Sequence, residues 1–304
     1  MKTKQTINLI VAVLVIATNQ VSATDVRIVR SGSQVILSWP QAATNDFYLQ
    51  FAANLSAPIA WSNASDAATN GTDLAVTDPT TSLSRFYRLQ AWEILFDGTS
   101  TAAFRGYKQS TFPRTNVWLI TTNKELMAVV VPSGSSIRTN DLITTAQYDN
   151  FELRWEWKTS TNGNSGVFIR VTEPVGTNNF SAQTGPEYQL LDDPSYSGLP
   201  GYQTMGAAFS LFAPTTNKLL VPTGQWNECR LIVQSNHVQH WLNGGTVLEY
   251  DINGPGWATA VANYSGGGPL LPGFAQTTPA PIALQHHGQQ VWFRNIKIRK
   301  LSPQ

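Results

Sequence analysis

Cysteine is almost missing from this chain: Cys229 is the only one among 304 residues. A single thiol forms no intramolecular disulfide, so an exported fold must stand on packing. Cys229 lies in the β-prone run "WNECRLIVQ", which predicts a buried, inert thiol rather than a nucleophile. Histidines number only four, and no Cys-rich or His-rich spacing occurs, which argues against a structural zinc site. Charged residues make up just 13 % of the chain. No long stretch keeps a 3.6-residue apolar period, which argues against a helical fold. The apolar run Leu9–Ala17 is too short for a comfortable membrane span.

That run has the flanks of an export signal instead. Lys2 and Lys4 precede it, and Val21-Ser22-Ala23 offers small residues at the cleavage positions. Residues 1–23 are therefore expected to be a signal peptide, and the mature protein secreted or periplasmic. Cleavage leaves 18 basic and 19 acidic residues, a net charge of −1. Near-neutrality supports neither a nucleic-acid partner nor, after cleavage, a membrane partner. Oligomeric state leaves no trace in the sequence.

Short β-prone runs fill the rest. Residues 24–91 read as a small β module: "VRIVRSGSQVILSWP", "DFYLQFAANL" and "SRFYRLQ" alternate between apolar and polar, with Asn, Ser, Thr, Gly and Asp in the turns. The pattern loosely resembles fibronectin-type-III-like modules, and nothing in it suggests chemistry. From Trp92 a larger unit runs to residue 304, with strands such as "FELRWEWKT", "SGVFIRV", "EYQLLD", "ECRLIVQ", "HVQHWLN", "TVLEYD" and "VWFRNIKIRKL". Their spacing predicts an all-β antiparallel sandwich or jelly roll. In "FELRWEWK", Phe151, Leu153, Trp155 and Trp157 define one buried face, opposite a wet face of Glu152, Arg154, Glu156 and Lys158. Asn243-Gly244 supplies the positive φ angles of a tight hairpin. The Gly/Pro-rich stretch 254–281 is long for a connector and is expected to shape or cover a site.

Side chains two apart on a strand share a face. By that rule Glu187 pairs with Gln189, Gln285 with His287 away from His286, and Arg170 with Gly166 and Phe168. His240 interrupts the otherwise apolar side of Val238 and Leu242. Polar faces of this kind, rimmed by aromatic rings, suit sugars. Each residue also has a purely structural reading: His240 as a hydrogen-bonded packing residue, Glu187 as a cross-strand partner of Arg170, Asn164 and Asp192 as turn residues.

The blocks "LFDGTSTAAFRGY", "NFELRWEWKTSTNGNSGVFIR", "GPEYQLLDD", "GQWNECRLIVQSNHVQHWLNG" and "IALQHHGQQVWFRNIKIRKL" occur in this order. Together they resemble the 3-keto-disaccharide hydrolase family over roughly residues 92–301. The resemblance implies a concanavalin-like (laminin-G-like) jelly roll. It also implies cleavage of glycosides already oxidised at C3: a base removes the acidified C2 hydrogen, the aglycone leaves by β-elimination, and water adds to the enone. The positions matching the family's motifs are Asn164, Arg170, Glu187, Gln189, Asp192, His240, Asn243, Gln285 and His287. The roles expected from residue type are His240 or Glu187 as base, and His287 as acid on the departing oxygen. Arg170, Gln189 and Gln285 then serve as donors to substrate oxygens, Asn164 and Asp192 as binding residues, and Asn243 as a turn residue. A divalent metal polarising the ketone is compatible, with Asp192, Glu187 and His287 as available ligands, although no spacing demands one. Phe209 and Phe212 replace a tyrosine expected in the family, and His286 an alternative polar residue. A β-glucanase is disfavoured because Gln189 stands where a second acid is needed. A non-catalytic carbohydrate-binding module is the other alternative, and separation of His240 from Glu187 into different environments would favour it.

Overall fold

The computed structural model describes residues 26–32, 34–40, 47–57, 59–79, 85–132, 134–137, 139–175, 180–215, 218–266 and 268–303. The expected signal peptide, residues 1–23, lies outside them. Two compact units divide the chain, Met1–Glu93 and Ile94–Gln304.

In the first unit the strands form a four-stranded sheet, in the order Arg27–Ser31, Gln34–Pro40, Asp73–Asp78, Ala68–Asn70, and a three-stranded sheet, in the order Ser62–Asn63, Phe47–Ala52, Phe86–Ala91. Alternation buries Leu37, Trp39, Leu49, Tyr87 and Leu89 in one cluster. The Tyr87 hydroxyl donates to Asp78 at 2.7 Å, and Arg85 pairs with the same carboxylate at 2.5 Å, so this buried acid is fully engaged.

The second unit is an antiparallel sandwich. Its larger sheet has eight strands, with a main order of Trp118–Ile120, Leu126–Ala128, Val291–Lys300, Phe151–Thr159, Asn227–Gln234, His237–Leu242, Gly245–Asp251. Its smaller sheet has five, in the order Glu187–Leu191, Asn164–Phe168, Ala283–Leu284, Leu142–Thr144, Phe104–Gly106. Leu142, Val167, Tyr188, Leu190 and Leu284 of the smaller sheet share one core with Phe151, Leu153, Trp155, Trp157, Leu231, Val238 and Leu242 of the larger. Each of these large apolar side chains contributes about 1.5–3 kcal/mol through burial. Cys229 is buried in the same layer, and burial pushes its thiol up to about 12, as expected of an inert cysteine. Asn243 and Gly244 adopt φ of 47° and 87°, the tight hairpin turn expected there.

The outer face of the large sheet departs from the wet face expected of it. Glu152 is buried beneath Arg154, Arg230 and Arg299, at 2.6, 2.7 and 2.5 Å. Lys158 lies over the rings of Trp226 and Trp292, and Arg294 over Trp226. Alternation chose the side correctly, but cross-strand cations and aromatic rings dry it out.

Among the described residues, no helix is long and apolar enough to cross a membrane. Stretch 254–281 contains the helix Trp257–Ala262 and is tied to the short 3₁₀ turn Ser181–Gln183. Leu271 N–H donates to the Gln183 carbonyl, and Ala275 N–H to that of Thr184, both at 2.9 Å.

Candidate active site

The face of the five-stranded sheet turned away from the core carries the polar groups. Register sets Gly166 opposite Gln189 and Phe168 opposite Glu187 on the neighbouring strand. Tyr188 and Leu190 point into the core, so Glu187 and Gln189 take the opposite face. On the other side of Gly166, the Gln285 N–H donates to its carbonyl at 2.8 Å. Leu142 pairs with Leu284, which sets Asp141 against Gln285. Asp141, Gln285, Gly166 and Gln189 therefore cross the sheet side by side, with Asn164 one pleat further along. Ser181, fully buried, faces Asp141 from the 3₁₀ turn. Tyr264, from the covering stretch, packs edge-on against Phe209 at 6.5 Å and lies close enough to Glu187 to feel its charge.

Gly166 is the positional key. A Cβ there would stand 2.0 Å from Oε1 of Glu187, so the missing side chain is the space into which the carboxyl folds. Gly166→Ala is expected to displace Glu187 while leaving the sheet intact. Turnover should fall about 100-fold, because displacement by about 1 Å at a reacting group costs that much. Steady-state kinetics beside a thermal melt checks this; unchanged turnover would remove Glu187 from the chemistry.

Electrostatically the face is unusual. Glu187 is 6 % exposed, and its carboxyl has no hydrogen-bond partner among the described residues. Burial drives it well above the usual carboxylate range, and the neighbouring Asp141 charge adds to the effect. Asp141 is raised too, by burial, but its carboxylate receives the His286 N–H at 2.9 Å. The Ser181 hydroxyl and His287 also favour its charge, although Ser181 completes no hydrogen bond. Oδ1 of Asn164 and Oε1 of Gln285 are buried without partners as well. Unsatisfied buried polar atoms are rare in native folds, and several on one face mark a place where a polar ligand completes the hydrogen bonding.

Five expected residues, Glu187, Gln189, Gln285, Asn164 and His287, are thus brought together. His287 is exposed at the rim, hydrogen-bonded to Gln289 at 2.8 Å. Gln189 is partly engaged: its amide reaches the Gln203 carbonyl at 3.4 Å, and its Oε1 accepts the Leu190 N–H.

Three others lie apart. His240 is in the core, 1 % exposed, stacked on Tyr188 at 4.3 Å and hydrogen-bonded through Nδ1 to the Gly206 carbonyl. Since Tyr188 and Glu187 point to opposite sides of one strand, His240 and Glu187 occupy opposite sides of the small sheet. Arg170 leaves the face because the strand ends at Phe168 and Arg170 takes φ of 55°, which breaks the alternation. Its guanidinium instead ties the carbonyls of Ala275 and Ser235 and the side chain of Asn236. Asp192 is a turn residue. Although burial opposes it, hydrogen bonds from Ser195, Thr223 and the Asn162 N–H hold it below its ordinary value. His286 points to the core as alternation predicts, bonded to the Val117 carbonyl and set edge-on to Trp118. Asp141, Ser181 and Tyr264 were not singled out from the sequence. "DLIT" is a short strand whose place beside Gln285 depends on pairing.

Among the described residues no group of three or more His, Cys, Asp or Glu is placed to hold a metal ion. Of the residues considered as ligands, Glu187 and His287 share the face and Asp192 does not.

The fold and this polar sheet face fit an enzyme acting on glycosides, the class that the family match and a named relative assign. Residues 91–299 match the family described as a 3-keto-alpha-glucoside-1,2-lyase-like domain, and the chain belongs to that family. A 3-keto-disaccharide hydrolase from Bacteroides thetaiotaomicron is 28 % identical over 236 residues, covering 68 % of this chain and 77 % of that protein. Two crystal structures from Parabacteroides distasonis, each provisionally named a glycosyl hydrolase, share the fold. One has a TM-score of 0.59 at 27 % identity, covering 69 % of this chain and 94 % of the other. The second has a TM-score of 0.51 at 26 % identity, covering 70 % and 100 %.

Proposed function

We propose that the second unit cleaves glycosides whose sugar is oxidised at C3, releasing the aglycone by elimination across C1–C2 followed by hydration. The observation that carries this reading is Glu187: a carboxyl folded over Gly166 and kept above its usual range by burial, beside buried amide oxygens that lack partners among the described residues. A C3 ketone acidifies the C2 hydrogen, so proton transfer is the chemistry required, and carboxyls held above their usual range by burial are suited to it. The oxygens of Asn164 and Gln285 accept sugar hydroxyls. His287 stands at the rim, beside the aglycone. The membership and the named relative support the substrate class. Residues 1–23, read as a signal peptide, make the enzyme an exported one.

Separation of His240 from Glu187 removes one candidate base and, taken alone, favours a binding module. The site answers that with a second displaced carboxyl, Asp141, which binding does not require.

Incubating the mature protein with a 3-keto-disaccharide and with its unoxidised parent, with and without chelator, tests the proposal. Free sugar is expected from the keto form alone; release from neither, with the sugar still bound, would leave a binding module.

A further inference from the structure

Elimination followed by hydration needs a base at C2 and an acid at the C1 oxygen. The geometry of the two carboxyls divides this labour. Adjacent strands lie about 4.8 Å apart, so the backbones of Asp141 and Gly166 are separated by about 10 Å across the Gln285 strand. Glu187 folds over Gly166, which brings its carboxyl back towards Asp141. The two acids therefore flank Gln285, one on each side of the space where its unpartnered Oε1 lies.

Their surroundings differ in kind. Asp141 accepts the His286 N–H, with Ser181 on one side and His287 at the rim, all of which favour an anion. Among the described residues no hydrogen bond reaches the Glu187 carboxyl, and the charge that acts on it is the Asp141 carboxylate, with Tyr264 beside it. Asp141 thus has a donor that favours its anion, whereas burial favours the protonated form of Glu187.

We infer that Asp141, which holds the His286 N–H, is the catalytic base at C2 and that Glu187, folded over Gly166, is the acid at the glycosidic oxygen. This assignment rests on the proposed 3-keto-glycoside reading. Asp141 takes the C2 proton, and the C–H electron pair forms an enolate with its charge on the C3 oxygen. The enolate collapses to a C1=C2 double bond, and the C1–O pair departs with the aglycone, which takes the Glu187 proton. Water then adds its hydroxyl to C1 and gives its other proton to Glu187, while Asp141 returns its proton to C2. The pair ends as it began, and no oxidant or reductant is consumed.

The variants separate these roles. Asp141→Asn keeps an oxygen for the His286 N–H, so a wild-type melting profile is expected. Its turnover should fall about 1,000-fold, and exchange of the C2 hydrogen of a bound 3-keto sugar in deuterated water should disappear. Glu187→Gln should retain C2 exchange, and its turnover should recover with a nitrophenyl leaving group, which needs no proton. Ser181→Ala, which removes support for the Asp141 anion, should move the acidic limb of kcat/KM to higher pH. Exchange at the wild-type rate in Asp141→Asn, or lost only in Glu187→Gln, overturns the assignment. If Asp141→Asn fails to fold, an unmoved limb in Ser181→Ala overturns it. A wild-type protein that leaves keto-glycosides intact defeats the functional reading beneath it; a competent wild type with a competent Asp141→Asn defeats only the assignment.

Discussion

Glu187→Gln is expected to cost about 1,000-fold in turnover of glycosides with poor leaving groups, and to make the folded protein more stable at alkaline pH. The two effects share one cause. Burial and the neighbouring Asp141 charge both disfavour the Glu187 carboxylate, so the folded state binds its proton more tightly than the unfolded chain does. Above the unfolded carboxylate value the folded state therefore carries the extra proton, and stability falls as pH rises towards the folded value. Glutamine has nearly the same shape and no charge to gain, so it removes that loss while ending proton donation. Chemical unfolding at pH 5 and pH 9, beside steady-state kinetics, measures both. The stability difference between variant and wild type should widen with pH. A variant that is inactive yet less stable at pH 9 would show that the carboxylate is compensated by something other than the groups seen around it.

His240 is expected to govern acid stability rather than turnover. Burial, only partly offset by the Gly206 carbonyl, holds its imidazole at about 4. An exposed histidine in the unfolded chain titrates near 6.5, so between these values the unfolded state binds more protons. The contribution is fully present above pH 6.5 and is lost as pH falls towards 4, about 3 kcal/mol over that window. His240→Phe replaces a ring stacked on Tyr188 with another ring and removes the titration. Its unfolding free energy should be flatter than that of the wild type between pH 6.5 and 4, with turnover at neutral pH kept within a few-fold. Loss of turnover without loss of stability would return His240 to the chemistry.

These contrasts show where strand periodicity can be trusted. It placed Glu187 and Gln189 on one face, sent His286 and His287 to opposite sides, and put His240 on an apolar side. All three statements concern neighbours on one strand, where a two-residue repeat is enforced by the backbone. Arg170 failed the same rule because its left-handed backbone ends the repeat, and nothing in "VFIR" announces a positive φ at a bulky residue. Asp192 taken alone favoured a turn and entered the site only through the resemblance; in the structure three hydrogen bonds engage its carboxylate within a turn. Asp141 was invisible because its importance comes from Gln285 and Gly166, which lie far away along the chain and meet it only through register.

What the amino-acid sequence determined by itself was therefore the inventory of strands, their inward and outward residues, the lack of a second cysteine for an intramolecular disulfide, and, through ordered motif blocks, the family. The tertiary structure alone decided which outward residues meet, and that among the described residues Asp141 keeps a donor where Glu187 does not. The physical reason is range. Side-chain alternation is a local property of the backbone, whereas the charge state of Asp141 and Glu187 depends on burial and on partners supplied by other strands.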